Sequence, residues 1–135
     1  EKQIETLGRF AETAGVVFQI QDDVLNISGH EKIGKEFGDD INEGKRTLLV
    51  IHALNVAAAA EKERLLELLN MHTKDEKLLT EAVEIIKKHG SIEYAKKTAT
   101  KLVEDSWHEA ESVLPDSEAK EQLKELAELL IHRSV

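Results

Sequence analysis

Gly15-Val16-Val17-Phe18-Gln19-Ile20-Gln21-Asp22-Asp23-Val24-Leu25-Asn26 is the stretch on which the fold turns. Between Ala14 and Ile20 only Gln19 is polar, so this segment is apolar nearly all round, as in a helix covered on several sides. Upstream, Ile4, Leu7, Ala11, Ala14 and Phe18 recur at three- or four-residue spacing, which predicts one inward face of a helix over residues 1–27. Continued by fours, that face arrives at Asp22 and then at Asn26. Burying a carboxylate without a partner costs several kcal/mol, roughly the order of a domain's whole stability. Asp23 adds like-charge repulsion, and both acids sit near a helix end whose dipole opposes anions by roughly 0.3–1 kcal/mol each. Three unfavourable contributions at one place call for a cation. No lysine or arginine lies within a turn of the pair on this helix; Lys32 and Lys35 are the nearest in sequence. A hard divalent ion with oxygen ligands answers the need. Magnesium suits it, because a few carboxylates plus phosphate oxygens are its usual shell. The plainer alternative, in which Asp22 and Asp23 face solvent or pair with the loop lysines, stays open on these residues alone.

Outward from this stretch, helix is the only regular structure that the pattern predicts. Residues 29–44 hold Gly29, Gly34, Gly38 and Gly44 among alternating charges and read as a loop. A second helix is expected over 45–60 with Leu48, Leu49, Ile51, Leu54 and Ala58 inward, and 61–70 continues it or begins a neighbour. Thr73 and Glu76 suit a capping box for a third helix that Gly90 ends. Ser91 should cap a long helix with Ile92, Ala95, Ala99, Leu102, Val103, Ala110 and Val113 inward. After Pro115, Asp116 or Ser117 caps the last helix, whose inward residues are Ala119, Leu123, Leu126 and Leu130. The expectation is all-α: an antiparallel helical bundle, one domain over 1–135, without internal repeats.

Composition narrows the function classes. The chain has 135 residues, 41% hydrophobic and 33% charged, which fits a globular protein. A net charge of -9 argues against nucleic acid bound on an extended basic face. No apolar run approaches the roughly 18 residues of a membrane span. The absence of cysteine removes disulfides and thiolate chemistry and fits a reducing, cytoplasmic setting. Glu1 is not an initiator methionine, and the helical pattern already runs at Ile4, so the chain reads as a piece of a longer protein.

Two lysines follow the acids beside glycines, at Gly34-Lys35 and Gly44-Lys45, and Lys45 stands where the second helix is expected to begin. A helix start with free amides and a lysine can cradle a diphosphate, though either lysine alone reads as an ordinary solvated loop residue. Gly44-Lys45-Arg46-Thr47 lacks the spacing of a P-loop, Asp22 to Gly29 lacks the alternating ligands of an EF-hand, and the six histidines show no ligand spacing. His52 reads as a satisfied core residue, and Tyr94 and Trp107 as packing residues. Asn26-Ile27-Ser28 matches a glycosylation acceptor only formally.

Residues 15–23, followed by Gly34-Lys35, Gly38-Asp39-Asp40-Ile41 and Glu43-Gly44-Lys45-Arg46-Thr47, resemble the second aspartate-rich region of the trans-isoprenyl diphosphate synthases. This polyprenyl synthetase family includes farnesyl and geranylgeranyl diphosphate synthases. The likeness continues through Ser112-Val113-Leu114-Pro115-Asp116-Ser117 to Arg133. It implies the carboxy-terminal half of the isoprenoid synthase fold and a prenyltransferase that condenses an allylic diphosphate with isopentenyl diphosphate. Magnesium ions then draw away the allylic diphosphate, and the other substrate's double bond captures the cation. By this resemblance Asp22 ligates magnesium, with Asp23 and Asp40 acting directly or through water. Lys35 and Lys45 hold the diphosphate, Gln19 braces it, and Phe18 lines the hydrocarbon cavity.

Asn26 departs from the family's usual third aspartate, which weakens metal binding in principle without abolishing it and leaves Asn26 to support the metal from behind its direct ligands. The first aspartate-rich motif should precede Glu1. The 135-residue chain alone is therefore expected to be inactive. It is expected as a homodimer or paired with the amino-terminal half, and under-covered around Val16, Val17 and Ile20, a flank that favours self-association. A non-catalytic helical regulatory or interaction subunit is the rival reading. A terpene cyclase ranks third, because Asn26 stands where a serine or threonine of its metal motif would be expected.

Overall fold

A computed structural model of the protein describes residues 1–28 and 38–132, and these residues form seven α-helices and no strand. They are α1 (Lys2–Ser28), α2 (Asp39–Asn42), α3 (Leu48–Val56), α4 (Ala59–Asn70), α5 (Glu76–Lys88), α6 (Ser91–Val113) and α7 (Glu118–His132). Two compact units divide the chain: Ile20–Lys96, and Glu1–Gln19 together with the stretch from Lys97 onward. Lys35 and Gly34 lie outside the described residues.

In the unit from Ile20 to Lys96, α4 and α5 run antiparallel. Glu61 near the start of α4 bonds Lys88 and His89 at the end of α5, whereas Arg64 bonds Glu81 earlier in α5. Leu65, Leu68 and Leu69 of α4 and Ala82, Val83 and Ile86 of α5 are all but fully buried, the three- and four-residue spacing of one apolar stripe on each helix. The anticipated single helix over 45–60 is broken. Ala57 and Ala58 are extended, with ψ of 150° and 158°, and separate α3 from α4. Four consecutive alanines favour helix locally, but their small side chains bury little. The break lets α3 pack against both α4 and α5, which the two halves of a straight helix could not do. Ile51 and Ala58, expected inward, are exposed accordingly.

Gly90, at φ 70°, ends α5 in the left-handed conformation, as its position predicts. Ser91 does not act as the expected cap. It is fully buried at the start of α6 and lies 2.8 Å from His52 Nδ1, while His52 stacks on Tyr94 at 4.2 Å. Asp75, not Thr73, caps α5 by accepting from Lys77 and Leu78; Thr73 accepts instead from the Asp75 amide.

In the other unit, the T-shaped pair of Phe10 and Trp107 and the ion pair of Arg9 with Glu109 join the first half of α1 to α6. Ala99, Val103 and Ala110 are buried on α6, and Ala127 and Leu130 on α7. Leu102 and Leu126 were expected inward and are partly exposed instead. Ser117 caps α7 by accepting from the Lys120 amide at 3.1 Å.

The inward face of α1 differs from the one its periodicity indicated. Ile4 is 70% exposed and Phe18 50%, and Leu7 is partly exposed, whereas Thr6, Phe10, Val17, Ile20, Val24 and Ile27 are buried. The apolar flank around positions 16–20 is thus left open at Val16 but closed at Val17 and Ile20.

Candidate functional site

The second half of α1 carries Ile20, Asp23 and Ile27 at spacings of three and four, so the carboxylate of Asp23 shares the buried stripe and is only 5% exposed. Asn26, one turn on, faces the same way. Asp22, assigned to the inward stripe from the sequence, is half-buried, so its neighbour is the more deeply placed acid.

Across from this face stands the turn that follows α2. Gly44 donates its N–H to Ile41 O at 3.0 Å, and Lys45 donates its N–H to Asp40 O at 2.9 Å. Gly44 has φ 69°. Those two bonds and the left-handed glycine make a Schellman motif, which folds Lys45 back over the first turn of α2. Lys45 therefore precedes α3 rather than opening it, and Thr47 caps that helix through Val50 N at 3.2 Å. The expected cradle of free helix amides beside Lys45 is replaced by a turn that aims the side chain. Within residues 29–44, read as loop, the stretch Asp39–Asn42 is a helical turn.

Three charges converge. Lys45 Nζ donates to Asp23 Oδ1 at 3.2 Å and lies 3.9 Å from Asp40 Oδ1. The Asp40 amide donates to Asn26 Oδ1 at 3.0 Å, so Asn26 ties α2 to α1 and sets the Asp40 carboxylate beside the ammonium. Asp40 is 4% exposed, and the Lys45 side chain 39%. Burial by itself lowers the Lys45 value. The hydrogen bond to Asp23 and the charges of Asp40, Asp23 and Glu43 outweigh it, holding the ammonium above the ordinary lysine range.

The arrangement has a chemical direction. Two nearly buried carboxylates meet at the Lys45 ammonium, and their oxygens are hard donors. A divalent cation fits that donor set. Among the described residues no three acidic or imidazole side chains gather closely enough to hold an ion by themselves. An ion here would complete its shell with water or phosphate oxygens, as magnesium does. Asp23, Asp40, Lys45 and Asn26 are thus brought together. Phe18 and Gln19, assigned to the cavity wall and the diphosphate, are both exposed. Sequence reasoning missed that Asn26 works through the Asp40 amide, although its spacing of three from Asp23 carried the signal. It also missed Asn42 and His72. The Asn42 Nδ2 donates to His72 O at 2.8 Å and to Thr73 O at 2.9 Å, and His72 Nδ1 stands 2.9 Å from Asn42 O.

Residues 1–86 match the sequence profile of the family described as Polyprenyl synthetase. A short chain isoprenyl diphosphate synthase of Methanothermobacter thermautotrophicus is 39% identical over 133 residues, covering 98% of this chain and 40% of the relative. The crystal structure of a geranylgeranyl pyrophosphate synthetase from Pyrococcus horikoshii superposes with a TM-score of 0.83 at 33% identity, covering 99% of this chain and 41% of that one. A geranylgeranyl pyrophosphate synthase from Corynebacterium glutamicum, complexed with isoprenyl diphosphate and magnesium, gives 0.81 at 26% identity, covering 99% and 38%. The chain spans about 40% of the length of the relatives it matches. With an all-helical fold in common and the matched profile running through the whole acid–lysine cluster, the chain belongs to the polyprenyl synthetase family.

Proposed function

We propose that this chain is the carboxy-terminal, diphosphate-binding part of a magnesium-dependent trans-prenyltransferase that condenses an allylic diphosphate with isopentenyl diphosphate. The observation that carries the reading is the convergence of Lys45 on Asp23 and Asp40, two acids on different helices at 5% and 4% exposure. Support comes also from the magnesium and isoprenyl diphosphate that accompany the Corynebacterium glutamicum relative.

Asp23, Asp40 and the half-buried Asp22 would hold magnesium, which supplies positive charge against the departing diphosphate. Lys45 is partly exposed at the edge of the acids, so its ammonium can turn from Asp23 towards a diphosphate oxygen once another cation neutralises the carboxylates. Asn26 keeps Asp40 in place through the backbone amide, a task its neutral amide performs without adding charge. Lys35 and Gln19 would extend the grip on the diphosphate, and Phe18 would meet the hydrocarbon chain. The enzyme would act in the cytoplasm, as the family's homodimer, with the rest of its polypeptide supplying the isopentenyl diphosphate site. No described helix is long and apolar enough to cross a membrane.

The non-catalytic alternative has one observation in its favour. Lys45 already compensates the acids, and a purely structural salt bridge would look the same. Turnover separates the two. In the full-length polypeptide, Asp23→Ala should lower kcat for product formation on the order of a hundredfold or more. Unchanged turnover in that variant would remove the acid pair from the chemistry.

A further inference from the structure

The turn that aims Lys45 is held from outside by the connection between α4 and α5. His72 has φ 50°, unusual for a residue with a side chain, and its ring lies against Gly44. A Cβ built on Gly44 would stand 2.8 Å from His72 Cε1 and 3.2 Å from Leu69 O, so ring and turn are in close contact. His72 Nδ1 is 2.9 Å from the Asn42 carbonyl, which can only accept, so Nδ1 carries the proton and donates. Asn42 answers by donating from Nδ2 to the carbonyls of His72 and Thr73. Arg46 adds a bond from its guanidinium to Gly44 O at 2.7 Å and reaches Asn70 Oδ1 at 3.4 Å. All these groups sit within two residues of Gly44 or at the end of α4.

We propose that His72 and Asn42 are positioning residues: together they clamp the Schellman turn at Gly44 and thereby fix where Lys45 points relative to Asp23 and Asp40. The strained backbone of His72 is the local cost of placing its ring against a glycine that could carry no larger side chain there. The clamp itself is independent of the chemistry at the site; its bearing on diphosphate binding rests on the function proposed above.

Amide hydrogen exchange in the full-length protein tests the clamp directly, because the Gly44 and Lys45 amides are the two that close the turn. His72→Gly removes the ring while relieving the positive φ, and Asn42→Ala removes two donors. Each variant should speed exchange at Gly44 and Lys45 by about fivefold or more, the worth of one hydrogen bond, and leave Leu65 and Ile86 in the core at their original rates. A uniform rise at all four amides would mean a general loss of stability and overturn the proposal, as would unchanged exchange at Gly44 and Lys45. Should His72→Gly fail to fold, the same measurement on Asn42→Ala decides the matter. Magnesium-dependent pyrophosphate affinity, measured on the same samples, should fall by about fivefold. A loosened turn with unaltered pyrophosphate affinity would keep the clamp but sink the functional reading of Lys45.

Discussion

Replacing Lys45 by methionine keeps most of the side-chain volume and removes a positive charge that Asp23 and Asp40 share. The backbone should be unaffected, since the Lys45 amide still reaches Asp40 O. Breaking a fully buried ion pair by deleting one partner costs about 3–5 kcal/mol, whereas an exposed pair is worth about 0–1 kcal/mol. The acids here are 5% and 4% exposed but the Lys45 side chain is 39% exposed, so solvent screens part of the interaction. A loss of about 2 kcal/mol lies between these limits. For a chain of this size that lowers Tm by roughly 6–10 °C. Magnesium should then restore part of the loss, because an ion present at tenfold its Kd stabilises by about 1.4 kcal/mol. Thermal unfolding followed by circular dichroism, with magnesium or with chelator, reads both effects. A Tm within about 1 °C of the parent would refute the idea that Lys45 neutralises the acids. A deficit that magnesium leaves untouched would refute the idea that the acids accept a divalent ion.

Three further outcomes follow from the same geometry. Gly44→Ala should cost about 1–3 kcal/mol by urea unfolding, because the left-handed backbone and the contact with His72 both oppose a methyl group; a variant as stable as the parent would dissolve the Schellman assignment. Thr47→Ala should cost about 1 kcal/mol through the lost cap on Val50 N, and the loss should be absent in Thr47→Ser. Glu61, bonded to Lys88 and His89, and Glu81, bonded to Arg64, are both held below the ordinary carboxylate value of 4.5. A depressed folded value contributes stability above the unfolded value that disappears as pH falls through the folded one. The protein should therefore lose stability as pH drops below about 4.5, and Glu81→Gln should lose less over that interval than the parent does.

Much of the helical order was readable in the residues because caps and breakers are local. Gly90, a cap at Asp116 or Ser117 and most of the apolar stripe of α6 needed only spacing and turn chemistry. The face of α1 needed more. From Ala14 to Ile20 nearly every side chain is apolar, so two stripes, one through Ile4 and Phe18 and one through Phe10 and Val17, fit the period equally well. Only tertiary packing chooses between them, and the choice moved the deeper acid from Asp22 to Asp23. The break at Ala57 and Ala58 had no glycine or proline to announce it. It follows from α3 packing back on α4, a contact between segments that local propensity cannot register. The turn at Gly44 was legible in principle. Asp39-Asp40-Ile41-Asn42-Glu43-Gly44 has the look of a short helix with a glycine just past its end, but one turn without an apolar period reads as loop. The resemblance to prenyl synthases singled out Asp23, Asp40 and Lys45; the convergence of Lys45 on both acids required coordinates.

Titration of inorganic pyrophosphate into the protein by calorimetry, with and without magnesium, reaches the heart of the account. Saturable heat that needs magnesium and disappears in a folded Asp23→Asn variant is the expected result. Silence from the parent protein, or an undiminished signal after that substitution, would mean that the acids and Lys45 form a structural bridge and no metal–diphosphate site.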